Sequence, residues 1–383
     1  MNGENLLIHD LLRRADRIYG IPGYPVTRLV SGTKAISVIN EKVALEYALG
    51  DSLTGRRAAV IVKHVGLNTL SDPMVNATYQ GLIGGVVIIG GDDPSVVSST
   101  VVENSAAYGS VAAIPVIAWK PDDIDVIHTA LKASERFSRV ALVTVQPHDL
   151  AEETSIQRDE THHTISASGH EQGRLTDTDC TMYGRCVKAA AMNQSIADCG
   201  MMPPGSQYPK PIGERKKQSR KARGYNMTLC ATCPFRPLYD ILEKQGDRVI
   251  CDTGCSLIAM NPPYHFGYAS YGMGSAIAVA ATSTGIALIG DYGLLHSGLL
   301  ALIDVYEKNL PLLCIIMQNR CMGMTGGQPV CDLMPYIRFA DPLVISADDS
   351  AALSEVLTTT RRPCTVVVQG DCPEVIHHET YAY

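Results

Sequence analysis

Two apolar runs late in the chain, TGIALIGDYG (284–293) and PLLCIIMQN (311–319), each stop on a residue that a buried strand has little reason to carry: Asp291 and Asn319. Both runs read as strands buried on two faces, as in a parallel sheet with helices on either side. Neighbouring strands of such a sheet end on the same edge, and ligands collect beyond those carboxyl ends. A carboxylate there needs a positive partner. Asp291, the amide oxygen of Asn319 and the backbone carbonyl of Cys321 make a hard-oxygen set suited to Mg²⁺, with a ligand's phosphates completing the octahedron. Upstream, GYASYGMGSAIAVAA (267–281) sets Gly272, Met273 and Gly274 at an expected helix start, where N–H groups and the helix dipole can hold a diphosphate. Gly290 and Tyr292 flank the Asp, and Met322, Met324 and Thr325 follow the Asn; all are candidates to touch the same ligand.

The same rhythm runs through both ends of the chain. AAVIVKHVG (58–66), GGVVIIGGDDP (84–94), AAIPVIAWKP (112–121) and RVALVTVQP (139–147) are apolar runs ending in turn residues, and RVICDTG (248–254) and CTVVVQGDC (364–372) repeat the pattern. An α/β fold is expected, with one parallel-sheet domain over 1–150 and another over 225–383. Between them, 151–224 is polar and rich in Pro, Gly and charge. It reads as a linker with one short helix near 182–197, and its basic run Arg215 to Arg223 reads as a solvated stretch.

Composition narrows the function classes. The net charge is −7, which gives no reason to expect nucleic acid as a partner. No apolar run reaches the ~18 residues of a membrane span, and MNGENLLIHDLLRRADRI lacks the pattern of a secretory signal, so a cytoplasmic protein without membrane insertion is expected. Twelve cysteines in a reducing compartment point to metal ligation or redox chemistry more than to disulfides. Cys180, Cys186 and Cys199, with His162 and His163, fit no metal-ligand spacing. Cys314, inside an apolar run, reads as a small core residue.

A Gly-Asp strand end with an Asn 28 positions on resembles the thiamine diphosphate enzymes. That likeness implies a second element, a carboxylic acid hydrogen-bonded to the cofactor's aminopyrimidine ring, in an apolar setting that raises its pKa. INEKVALEYALGDSLTG (39–55) opens a helix on Glu41, with Ala44, Ala48 and Gly50 on the following turns, so Glu41 is the candidate. A plain helix-terminal Glu favoured by the dipole is the alternative. Glu46 reads as a surface residue.

GYPV, NEKVALE, VKHVGLN, GGDDPSVVSS, LCATCPFRPLYDIL, GDYGLLHSGLLALI and MTGGQP resemble, in that order, the large (alpha) subunits of indolepyruvate ferredoxin oxidoreductases, of the 2-oxoacid:ferredoxin oxidoreductase family, over about 1–120 and 226–383. The resemblance implies two thiamine diphosphate-binding-fold domains, pyrimidine-type first and diphosphate-type last, with cofactor held between them, usually across a homodimer interface. It implies oxidative decarboxylation of a 2-oxoacid, with electrons leaving one at a time and coenzyme A taking the acyl group. It also implies that Cys230 and Cys233 of CATC, Cys255 of DTGC and Cys372 of QGDCP hold a [4Fe–4S] cluster. A structural zinc with four thiolates is the alternative by ligand count, and Cys364 or Cys251 could replace a proposed ligand.

The expected partners are a gamma-type small subunit and a ferredoxin or other separate electron carrier. The latter is expected because the family's large subunit normally continues into a ferredoxin-like domain beyond the position of Tyr383. The segment IPGYP departs from the family's YPGTP. Tyr24 stands beside Gly23 where a Thr would face substrate, and the phenol narrows the pocket. His64 either faces substrate or is structural. Two other functions stay open: a non-oxidative thiamine decarboxylase of the sulfopyruvate or phosphonopyruvate type, and a non-catalytic assembly subunit that keeps the fold.

Overall fold

The computed structural model describes residues 2–153, 182–202, 229–261, 263–325, 327–358 and 363–373. The chain divides into two compact units, Met1–Ile212 and Gly213–Tyr383.

In the first unit the strands are β1 (Arg17–Gly20), β2 (Ile36–Ser37), β3 (Ala58–Lys63), β4 (Val86–Gly91), β5 (Val116–Ala118) and β6 (Ala141–Val145), ordered β2-β1-β3-β4-β6-β5 and all parallel. β4 is buried along its whole length, which is why its run shows no polar alternation. Helices Gly3–Arg14 and Val126–Phe137 cover one face, sharing a core with Ile61, Ile89 and Val143. Helix Glu41–Leu53 is buried from Lys42 onward, so polar groups on every face of it must find partners. Asp51 accepts from the Tyr19 hydroxyl at 2.6 Å, and Lys42 pairs with Glu46 at 2.9 Å and Asp72 at 3.1 Å. Glu46 is therefore not the surface residue expected; it is fully buried, one turn along from the lysine that balances it.

The segment expected to be a linker contributes to this unit. Helix Met182–Asp198 is 17 residues long, and Ile196 packs against Ala133 and Phe137. Arg139, fully buried, donates to the carbonyls of Ala113 (2.5 Å) and Ala189 (3.0 Å) and to Asn193 Oδ1 (2.8 Å), tying that helix to the sheet. Sequence periodicity cannot reveal such an anchor. Cys180, His162, His163 and the basic run 215–223 lie outside the described residues.

The second unit holds β7 (Val249–Cys251), β8 (Gly267–Ala269), β9 (Ile286–Gly290), β10 (Leu313–Gln318), β11 (Leu343–Ser346) and β12 (Cys364–Gln369), ordered β11-β12-β10-β9-β7-β8 and all parallel. Taken from the opposite edge, this is the order of the first sheet. The two units share a topology that no sequence repeat announces. Cys314 lies buried in β10 and Cys364 buried in β12. Among the described residues, no helix is long and apolar enough to cross a membrane.

Candidate active site

Register places the second unit's donors. Met317 of β10 pairs with Gly290 of β9, so Asp291 and Asn319 leave neighbouring strand ends on one edge, as expected. Asp291 is 2% exposed. Its Oδ1 accepts from Tyr292 N–H at 2.8 Å and its Oδ2 from Arg320 N–H at 2.7 Å. Arg320 sits in the left-handed region at φ 58°, a costly conformation that recurs at functional sites. Burial pushes the Asp291 carboxyl above the usual carboxylate range, and the pull in the other direction comes chiefly from backbone N–H groups of Arg320, Tyr292 and Asn319. A carboxylate held dry at a strand tip beside an amide side chain suits a hard divalent cation. The Cys321 carbonyl, the third oxygen expected to hold such an ion, accepts from Gly323 N–H at 2.9 Å.

The diphosphate end differs from expectation in one respect. Asp252, fully buried at the end of β7, accepts from Gly274 N–H at 3.0 Å and Ala276 N–H at 3.3 Å. Those amides are occupied by the protein itself. Gly274 serves close packing instead: at φ +80°, a Cβ there would lie 2.5 Å from Gly298 N and Ser297 Oγ. Ser297 in turn donates to the Met273 carbonyl at 2.5 Å. Ser297 and Gly298 belong to a π-helical turn, Leu294–Gly298, inside the helix that Asp291 opens; such bulges recur at functional sites. Open space lies instead at Gly254 and Gly290, where a Cβ would meet nothing within 4 Å. Both line a cavity of about 330 Å³ that also takes in Asp291, Tyr292, Asn319, Met322, Met324 and Thr325.

That cavity is walled by cysteines. Cys230, Cys233, Cys255 and Cys372 all line it, and so does Cys321. Pro234 of the CATCP turn packs on Gly370, where a Cβ would come within 2.8 Å, and this brings the Cys372 loop against the Cys-x-x-Cys loop. Arg236 clasps that turn, donating to the carbonyls of Cys230 (2.9 Å) and Leu229 (3.2 Å). The Cys255 thiol is pushed up to about 12, first by burial and then by its neighbours Cys233, Cys372, Cys230 and Cys321. Cys251 and Cys364, the substitutes considered from sequence, are buried in strands and do not line the cavity. Among the described residues, no three His, Cys, Asp or Glu side chains converge as ligands of one metal ion. Four thiols on one cavity wall are the donor number of a [4Fe–4S] cluster and equally of a structural zinc.

In the first unit, Asn40 caps the helix through its side chain, accepting from Val43 N–H at 2.8 Å, and Glu41 follows as the first helical residue, half-buried. A Cβ on Gly66 would lie 2.8 Å from Glu41 Cγ and 3.0 Å from Oε1, so VKHVGLN supplies the space that the carboxyl occupies. His64 is 1% exposed, with Nδ1 3.1 Å from the Gly91 carbonyl and Nε2 3.2 Å from the Val101 carbonyl. Both ring nitrogens face carbonyl oxygens, and whichever carries the proton donates to its carbonyl, so His64 braces the loop after β4. Gly23 and Tyr24 are half-buried beyond β1, and a Cβ on Gly23 would come 3.1 Å from Lys63 Cβ. Sequence reasoning missed Asp252, Ser297, Gly66 and the Cys321 thiol. Only the Gly and Asp beside strand ends left a trace that could have found them.

Residues 252–347 match the family described as "Thiamine pyrophosphate enzyme, C-terminal TPP binding domain". The second unit thus carries a segment similar to a thiamine pyrophosphate-binding domain. Curated relatives of the chain are named indolepyruvate oxidoreductase subunit IorA. The protein from Methanothermobacter thermautotrophicus is 24% identical over 76% of this chain and 68% of its own length. That from Archaeoglobus fulgidus is 22% identical over 76% and 67%, and that from Pyrococcus abyssi 37% identical over 37% and 24%.

Two solved structures share the thiamine pyrophosphate-enzyme fold. The thiamine diphosphate-dependent 4-hydroxybenzoylformate decarboxylase of Rhodococcus jostii has a TM-score of 0.60 at 14% identity, covering 97% of this chain and 99% of that one. A putative thiamin diphosphate-dependent enzyme from Mycobacterium smegmatis has a TM-score of 0.62 at 12% identity, covering 97% and 100%.

Proposed function

We propose that the chain is the thiamine diphosphate- and Mg²⁺-dependent catalytic subunit of a 2-oxoacid oxidoreductase of the indolepyruvate type, holding one [4Fe–4S] cluster and passing the acyl group to coenzyme A. The observation that supports this reading best is a cavity in the second unit that Asp291 and Asn319 line together with Cys230, Cys233, Cys255 and Cys372. A non-oxidative decarboxylase has no use for those thiols.

Bound thiamine diphosphate supplies the carbanion chemistry of decarboxylation, and the protein supplies orientation, dryness and proton control. Glu41, in the notch left by Gly66, holds a proton at its carboxyl for the cofactor's aminopyrimidine ring. Asp291, Asn319 and the Cys321 carbonyl hold Mg²⁺. Gly254 and Gly290 leave the space the cofactor takes, and Asp252 fixes the Gly272–Gly274 turn beside it. Tyr292, Met322, Met324 and Thr325 line the cavity beside them. His64 positions the loop after β4, and Tyr24 narrows the substrate end. The four thiolates hold a cluster suited to accepting single electrons. A gamma-type small subunit, a ferredoxin or other electron carrier, a homodimer within a hetero-oligomer and a cytoplasmic setting complete the reading.

Anaerobic purification from the native host, with cofactor, iron and acid-labile sulfide measured on the same sample, tests it. Thiamine diphosphate together with stoichiometric iron and sulfide supports the oxidoreductase. Thiamine diphosphate without either element leaves the non-oxidative decarboxylase.

A further inference from the structure

We propose that Cys321 is a second, interchangeable ligand for the cluster corner held by Cys372, so that the cavity is a five-thiol site for a four-thiolate cluster. This rests on the cluster reading above.

The placement follows from register. β10 and β12 are adjacent parallel strands whose last residues, Gln318 and Gln369, face each other. Cys321 lies three residues beyond Gln318, and Cys372 three beyond Gln369. The two cysteines therefore occupy equivalent positions past neighbouring strand ends, on strands about 4.8 Å apart. Two bonds keep the ends in step: Gly370 N–H to the Gln318 carbonyl at 3.1 Å, and Gln369 Nε2 to Gln318 Oε1 at 2.8 Å.

Beyond the strands the loops stay together. A Cβ on Gly323 would lie 3.3 Å from Cys372 Sγ, and Gly323 N–H donates to the Cys321 carbonyl at 2.9 Å. Cys372 thus rests against the turn that carries Cys321. Both line the cavity with Cys230, Cys233 and Cys255, and both bear electrostatically on the Cys255 thiol.

The exchange needs no oxidant or reductant. One thiolate leaves an iron and takes up a proton, and the other thiol gives up a proton and binds that iron. Cys321 has a further property: its carbonyl is the proposed third Mg²⁺ ligand. Substituting its side chain alone leaves that carbonyl in the backbone, so effects on the cluster are separable from effects on the metal–diphosphate end.

The test is anaerobic iron–sulfide reconstitution of the full chain as wild type, Cys230→Ala, Cys321→Ala, Cys372→Ala and the Cys321→Ala/Cys372→Ala pair, read by iron and sulfide content and by EPR of the reduced protein. Wild type and both single variants at 321 and 372 should retain close to full iron. The Cys372→Ala EPR signal should be altered, and the double variant and Cys230→Ala should lose most of the cluster. Loss of the cluster in Cys372→Ala as complete as in the double variant overturns the inference, whether or not the double variant folds. An EPR signal in Cys372→Ala identical to wild type also overturns it. A wild type that binds no iron overturns the cluster reading and this inference together, whereas failure confined to Cys372→Ala overturns this inference alone.

Discussion

Gly66 and Glu41 touch where a side chain on the glycine could not be: a Cβ would stand 3.0 Å from Glu41 Oε1. Gly66 opens the short helix Gly66–Thr69 and is buried. Its lack of a side chain therefore sets where the carboxyl rests. Gly66→Ala should fold, at a cost of about 1–3 kcal/mol from overpacking, and should move the carboxyl. Thermal unfolding reads the first effect, and exchange of the cofactor's C2 proton followed by NMR reads the second. Exchange at the wild-type rate in Gly66→Ala means that the notch does not position the acid.

Glu41→Gln keeps the shape and removes the exchangeable acid. General acid–base assistance is worth roughly 10²- to 10⁴-fold, and turnover should drop by that order while cofactor affinity changes little. Turnover that survives the substitution rules out Glu41 as the activating acid.

Asp291 gives the apo-protein a pH dependence of known sign. Its folded pKa lies above the ordinary carboxylate value, chiefly through burial. The folded state therefore holds the proton more tightly than the unfolded state. The ionised carboxylate costs stability at neutral pH, and that cost is relieved as pH falls through the folded pKa. Urea unfolding of the cofactor-free, metal-free chain should show the stability of wild type relative to Asp291→Asn rising as pH falls through the folded pKa. A difference that is independent of pH, or that shrinks on acidification, contradicts this.

Gly274 has neither the room nor the backbone for a side chain, with φ +80° and Ser297 Oγ 2.5 Å from any Cβ. Gly274→Ala should cost about 2–4 kcal/mol and open the Asp252-bound turn. Loss of thiamine diphosphate binding, seen by calorimetry on folded protein, should accompany it.

Arg139 bonds Ala113, Ala189 and Asn193 from a fully buried position. Arg139→Met fills similar volume but strands those acceptors, so a loss of at least about 3 kcal/mol is expected. Hydrogen exchange should quicken first in Met182–Asp198. Unchanged protection there means the helix is held by other contacts.

Strands buried on both faces, such as AAVIVK in β3 and LCIIMQ in β10, were the most legible in the sequence, because unbroken apolar runs need no context to be read, and the edge strand β5 was legible from its short apolar run. The edge strands β2, β8 and β11 were not: β11 carries exposed Leu343 and Val344, and β2 is two residues long. Asp291 and Asn319 stood out because polar groups at the ends of buried strands are anomalous, whereas the four cysteines were implied only by the family resemblance. Asp252 did not, since its partner amides lie 22 and 24 residues away and only the folded turn brings them together. Glu46 was misplaced because a charge on a helix reads as surface until the lysine one turn back is known to be buried with it.

Isothermal titration of the apo-protein with thiamine diphosphate, with and without Mg²⁺, in wild type and Asp291→Ala, tests the metal–diphosphate site most directly. Saturable binding that requires Mg²⁺ in wild type and disappears in Asp291→Ala is expected. Binding of equal strength in Asp291→Ala, or binding indifferent to Mg²⁺, would contradict the assignment of that strand end.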